Sequence, residues 1–125
     1  MDKLRILIVD DIFTNRLLLS EIIADMGHEY LEAQNGKEAI DLLKENDFDV
    51  VLMDIEMPVM NGIETTQYIR ANFDANKCNV PIIALTAHNP NLFFDDYKDV
   101  GFSQLLTKPY SIERITRLLG TVAVD

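Results

Sequence analysis

Asp49–Gly62, D-V-V-L-M-D-I-E-M-P-V-M-N-G, is the stretch on which the reading of the whole chain turns. Val50-Val51-Leu52-Met53 is a continuous apolar run that stops abruptly at a carboxylate, Asp54. A short run without polar alternation reads as a strand buried on both faces, as in a parallel sheet between two helical layers. An acid at its last position sits where such a sheet opens to solvent, the edge at which open α/β folds bind their ligands. A lone acid there commonly does no more than solvate the strand end. The neighbouring strands therefore decide what Asp54 is for.

Toward the N-terminus, Leu4–Val9 forms an apolar strand that runs into Asp10-Asp11. Thr14 is the expected N-cap of a first helix, with Leu17, Leu18, Ile22 and Met26 at helical spacing and Gly27 ending it. His28–Leu31 reads as a short strand, and Asn35-Gly36 opens a second helix with Ala39, Leu42 and Leu43 inward. Toward the C-terminus, a third helix begins near residues 60–63 and runs to about Phe73. Val80–Leu85 is a fourth strand ending at Thr86-Ala87, and Asn89-Pro90 opens a fourth helix. Phe102–Thr107 is a fifth strand followed by Lys108-Pro109, and Ser111 caps a last helix carrying Ile112, Ile115, Leu118 and Leu119. Strands and helices alternating at this spacing imply right-handed βαβ crossovers. The expected fold is a single α/β, doubly wound (βα)5 flavodoxin-like domain over residues 1–125. Its five-stranded parallel sheet takes the order 2-1-3-4-5, with the switch point between strands 1 and 3.

Composition narrows the class. The 125 residues suffice for one domain with a proper core, and 48% are apolar, against disorder. The formal net charge of −10 repels phosphate backbones, so direct nucleic-acid binding is disfavoured and a cationic partner or metal ion favoured. The one cysteine, Cys78, has no internal partner for a disulfide and reads as an ordinary loop residue in a reducing compartment. No apolar segment approaches the ~20 residues of a membrane span. The expectation is a soluble cytoplasmic protein with no output domain.

Four apolar strands end in a chemically capable residue: Asp10-Asp11, Asp54, Thr86 and Lys108. In a parallel sheet those ends share one edge. Three carboxylates close together raise one another's pKa unless something compensates, and a divalent cation does so. Oxygen ligands without a His or Cys cluster select Mg²⁺ or Mn²⁺. Lys108 supplies a point charge for a phosphate, while Thr86 offers a hydroxyl and Ala87 a backbone N–H. The set suits phosphoryl transfer to an aspartate nucleophile, with Asp54 the best candidate and the Asp10-Asp11 pair suited to holding metal.

These residues resemble the receiver domain of two-component response regulators, the chemotaxis-regulator-like module. The resemblance covers residues 4–120 and rests on I-L-I-V-D-D, V-L-M-D-I-E-M-P-V-M-N-G, A-L-T-A and L-L-T-K-P, in order. It implies that Asp54 accepts a phosphoryl group from a phosphohistidine on a histidine kinase or a histidine phosphotransfer protein. It implies Mg²⁺ held by Asp10, Asp11, Asp54 and the Glu56 main-chain carbonyl, phosphoryl contacts from Thr86 and Lys108, and a cis Lys108–Pro109 bond. Thr86 and the residue at position 105 would form the switch; that position is often aromatic in the family and is Leu105 here. Glu56 and His88 would flank the phosphoryl group and tune its hydrolysis. Phe13, Asn15 and Leu18 would form the docking surface for a phosphotransfer helix bundle. One of Phe93 and Phe94, together with Tyr110, would line an exposed apolar patch for a downstream protein target, since adjacent residues of a helix cannot both face the core. The module would catalyse its own phosphorylation and dephosphorylation without being an enzyme otherwise. It would serve either as a stand-alone regulator or within a hybrid histidine kinase. A phosphohydrolase of the haloacid-dehalogenase type is disfavoured by Glu56, where that family has a second Asp, and by the lack of room for a cap domain. A degenerate receiver would have lost a site residue, and none is lost.

Overall fold

The computed structural model describes residues 3–87, 99–108 and 110–123. Five strands, β1 (Arg5–Val9), β2 (Glu29–Ala33), β3 (Val50–Asp54), β4 (Ile82–Thr86) and β5 (Gln104–Thr107), form one sheet in the order β2-β1-β3-β4-β5. Every pairing is parallel. Four helices are described: α1 (Phe13–Asp25), α2 (Gly36–Glu45), α3 (Gly62–Asn72) and α4 (Ile112–Ala123). The architecture is the doubly wound sheet expected from the sequence. The helix expected after Asn89-Pro90, with His88, Phe93, Phe94 and Tyr97, lies outside the described residues, as does Pro109.

The two-residue alternation of side chains along a strand splits the core into two layers. On one face Ile6, Ile8, Leu52, Ile83 and Leu85 meet α1 and α4. On the other Leu7, Val9, Val51, Met53 and Ile82 meet α2 and α3. Because β1 and β3 are central, Ile6–Val9 and Val50–Met53 carry no polar side chain, which is why the sequence shows unbroken apolar runs there. Register does the rest. Val9 pairs with Met53, Asp54 with Leu85 and Thr86 with Thr107, so the chemically capable residues leave the sheet at nearly one level.

The helix ends explain the turns. Gly27 takes a left-handed φ of 85° after α1, its N–H donating to Ala24 and that of His28 to Ile23. This paired arrangement closes the last turn of a helix where only glycine is unstrained. Asn35 accepts from the Glu38 N–H to start α2, and Ser111 accepts from Arg114 to start α4.

Four local expectations are corrected. Thr14 does not cap α1; the helix starts at Phe13 from Ile12, whose N–H is taken by the Asp10 carboxylate. Leu17 and Leu18 are exposed and Leu19, Ile22 and Ile23 form the buried stripe, because three successive leucines leave the helical phase open and the sheet chooses. Ile112, in the first turn of α4, is 66% exposed, while Ile115 and Leu119 are buried. Tyr110 packs half-buried against the core layer shared by α1 and α4, rather than lining an exposed patch.

Candidate phosphoryl-transfer site

Asp10, Asp11 and Asp54 each present a carboxylate oxygen within 4.8 Å of the others. Their surroundings differ. Asp10 is fully buried and doubly anchored: its Oδ1 accepts from the Ile12 N–H at 2.9 Å and its Oδ2 from Asn15 Nδ2 at 3.2 Å. Arg16, 8% exposed, donates from a terminal guanidinium nitrogen to the Asp10 main-chain oxygen at 2.8 Å and from Nε to Glu32 at 3.1 Å. A cation one turn into a helix opposes the helix dipole, so its burial there depends on these acceptors. Asp11, next in the chain, is exposed.

Asp54, 3% exposed, ends β3 with Lys108 Nζ 3.0 Å from its Oδ1. Its pKa is pushed up to about 6. Burial is the largest cause and the charge of Asp10 the next; the Lys108 hydrogen bond and charge pull the other way, and Asp11 adds a smaller push upward. Lys108 reaches this position because β5 is in register with β4 and the Lys108 N–H donates to the Thr86 carbonyl at 2.8 Å. Thr86 is itself buried at the end of β4, Ala87 is exposed, and Leu105 packs half-buried against Ile55 and Ala84.

The loop after Asp54 is tightly held. Val59 has a φ of 70°, a left-handed backbone that strains a β-branched residue. The Met60 N–H closes a three-residue turn onto the Pro58 carbonyl at 2.7 Å. Gly62 lies so close that a Cβ there would stand 2.2 Å from the Asp54 carbonyl oxygen. The Gly36 N–H holds the Met60 carbonyl from α2, at 3.1 Å. Glu56 sits within this loop, exposed.

The structure thus brings Asp10, Asp11, Asp54, Thr86 and Lys108 to one sheet edge. Arg16 and the anchoring role of Asn15 were missed from the sequence; a lone basic residue five positions after an acid pair was the available signal. A surface concavity lined by Lys44, Tyr68, Asn72, Phe73, Asp74 and Lys77 lies at the C-terminal ends of α2 and α3. Those ends are at the opposite edge of the sheet, so the concavity is unrelated to the acidic cluster. Three hard oxygen donors, with no His or Cys among the described residues of the cluster, fit a Mg²⁺-type cation. No helix among the described residues is long and apolar enough to cross a membrane.

Residues 6–119 match the family model of the response regulator receiver domain. The sensor protein GacS of Pseudomonas syringae is 36% identical over 92% of this chain, and the chain spans only 13% of that protein's length. Protein PilH of Pseudomonas aeruginosa is 35% identical, with 94% of this chain and 96% of that one aligned. Among solved structures, the receiver domain of a sensor histidine kinase from Pseudomonas aeruginosa superposes with a TM-score of 0.85 at 28% identity. The match covers 96% of this chain and 97% of that one, which holds a magnesium ion coordinated in its active-site cleft.

Proposed function

The chain belongs to the response regulator receiver domain family, a signalling module, and from that membership we propose that Asp54 is its phosphoacceptor, loaded from a phosphohistidine on a histidine kinase or histidine phosphotransfer protein. The observation that carries this reading is the 3.0 Å contact between Lys108 Nζ and Asp54 Oδ1 inside the acidic cluster. An ammonium already at the nucleophile's oxygen meets the charge that arrives there. In the transfer the donor's N–P bond breaks as a bond forms from an Asp54 carboxylate oxygen to phosphorus. Asp54 attacks as the anion, so no proton has to be removed; with its pKa at about 6 the anion predominates at neutral pH. Lys108 and the Thr86 hydroxyl contact the phosphoryl oxygens, with the Ala87 N–H beside them.

Asp10, Asp11, Asp54 and the Glu56 main-chain carbonyl would hold Mg²⁺, with Mn²⁺ a substitute. When bound, the cation neutralises charge on the transferring group. The module promotes its own phosphorylation and hydrolysis. Phosphorylation then shifts Thr86 and Leu105 between two arrangements, and the partner-binding surface with them. Phe13 at 63% exposure and Leu18 at 40% supply the apolar part of a docking surface on α1, with Asn15 between them and the site.

The test is a small phosphodonor, acetyl phosphate with Mg²⁺, on the full chain. Wild type should gain one acid-labile phosphoryl group by intact mass, and Asp54→Asn should gain none. Incorporation at the wild-type level in Asp54→Asn would overturn the assignment.

A further inference from the structure

Arg16 lies one turn into α1, 8% exposed, and neither of its hydrogen bonds among the described residues goes to a carboxylate of the acidic cluster. One runs from a terminal guanidinium nitrogen to the Asp10 main-chain oxygen at 2.8 Å, the other from Nε to Glu32 Oε1 at 3.1 Å. The Phe13 ring lies over the same guanidinium, its centroid 5.8 Å from the central carbon. A planar guanidinium held at two edges and one face has little freedom left, so the oxygen it grips is fixed with it.

That oxygen matters because of what shares its plane. The Asp10 carbonyl and the Asp11 N–H belong to one rigid peptide unit, so fixing the oxygen fixes the direction in which the chain enters Asp11. The two acids need this unequally. The Asp10 carboxylate has two anchors of its own, the Ile12 N–H and Asn15. Asp11 is exposed, and its side chain has no hydrogen bond among the described residues. The backbone is therefore what keeps its carboxylate near the other two. Both supports of that backbone come from the end of β2: Ala33 accepts the Asp10 N–H at 3.1 Å, and Glu32 holds Arg16.

We propose that Arg16, clamped by Glu32, is a positioning residue for Asp11, setting through the Asp10–Asp11 peptide where that carboxylate meets a divalent cation. The inference rests on the reading of the cluster as a Mg²⁺ site. Sign separates it from a charge effect. Arg16 is a cation near the cluster, and by charge alone its removal tightens Mg²⁺ binding. As a brace, its removal loosens binding.

Arg16→Met keeps the apolar stem and loses the fork. Calorimetric titration of the full chain with MgCl₂ should show binding weakened by about tenfold, the scale of one hydrogen bond to a charged group. With acetyl phosphate, the Mg²⁺ concentration for half-maximal labelling should rise to match. The labelling rate at saturating Mg²⁺ should stay within about twofold of wild type, since a positioning residue contacts neither phosphorus nor the attacking oxygen. Glu32 supplies a second pair of variants on an outer side chain, 37% exposed, and decides alone should Arg16→Met not fold. Glu32→Ala and Glu32→Gln remove the same charge, but only glutamine retains an acceptor for Arg16 Nε. Mg²⁺ affinity should therefore be lower in Glu32→Ala than in Glu32→Gln, by about threefold. Unchanged or tighter binding in Arg16→Met, or equal affinities in the two Glu32 variants, overturns the inference while leaving the Mg²⁺ site standing. Wild type that binds no Mg²⁺ overturns the reading of the cluster and the inference together.

Discussion

Met53 and Asp54 are consecutive residues of one strand, at 0% and 3% exposure, and they act on the fold in opposite directions. Met53 belongs to the sheet interior, where every inward group is apolar and burial is its own reward in free energy. Asp54 belongs to the strand-end edge, where burial and a second carboxylate oppose the charged form and one lysine only partly compensates. The boundary between a region built for stability and one built against it is a single peptide unit. An acid held in its charged form at a cost to the fold is a candidate for function, and the proposed cation and phosphoryl chemistry of the edge is such a function.

The comparison is broken most severely from the core side. Leu52, 2% exposed on β3 and facing α1 and α4, is two residues from Asp54. Leu52→Ala should cost about 3–5 kcal/mol of unfolding free energy through lost transfer energy and a residual cavity. Under conditions where the variant is still folded, its Mg²⁺ affinity should match wild type. Denaturant titration and calorimetry check the two halves; a large loss of Mg²⁺ affinity would mean the edge is not mechanically separate from the interior.

The edge should answer with the opposite sign. The carboxyl of Asp54 moves from 3.8 to about 6 on folding, so between these values the folded state binds more protons than the unfolded. Stability from this group is therefore full below about pH 4 and is lost as pH rises to about 6. At one pKa unit per ~1.4 kcal/mol the span is about 3 kcal/mol, less what Lys108 loses with its partner. Asp54→Asn should raise metal-free stability at pH 7 by about 2 kcal/mol, change it little at pH 4, and reduce the stabilisation that Mg²⁺ gives wild type. A destabilised Asp54→Asn at pH 7 would contradict the account of the edge.

The same division governs what could be read without coordinates. The strand ends were legible because central parallel strands permit no polar residue until they leave the sheet, so Asp10, Asp54 and Thr86 announce themselves. The helix phases were not. Leu17, Leu18 and Leu19 are chemically alike, and only the sheet beneath selects Leu19. Ile112 is apolar yet exposed because it falls before α4 settles on the core. The support of the site was hidden for another reason: Arg16 acts through a main-chain oxygen, which has no sequence pattern. The left-handed Val59 is a non-glycine in a glycine-like conformation, which no propensity would place there.

The smallest expected effect comes from the one segment that belongs to both regions. Asn61 and Glu64 form a reciprocal capping box at the start of α3, with side-chain bonds of 2.8 Å and 3.1 Å to each other's backbone N–H groups. One residue on, the Gly62 backbone lies against the Asp54 carbonyl and its N–H donates to Ile55 at 2.9 Å. Asn61→Ala should cost about 1 kcal/mol, the usual worth of an N-cap. The loop keeps its other anchors, Met60 to Gly36 and Gly62 to Ile55, so the Glu56 carbonyl stays where it was and Mg²⁺ affinity should change less than about twofold, ~0.4 kcal/mol. A tenfold loss of affinity with the same small loss of stability would show that the cap tensions the loop over Asp54, and that the two regions meet at Asn61 rather than at the Met53–Asp54 peptide.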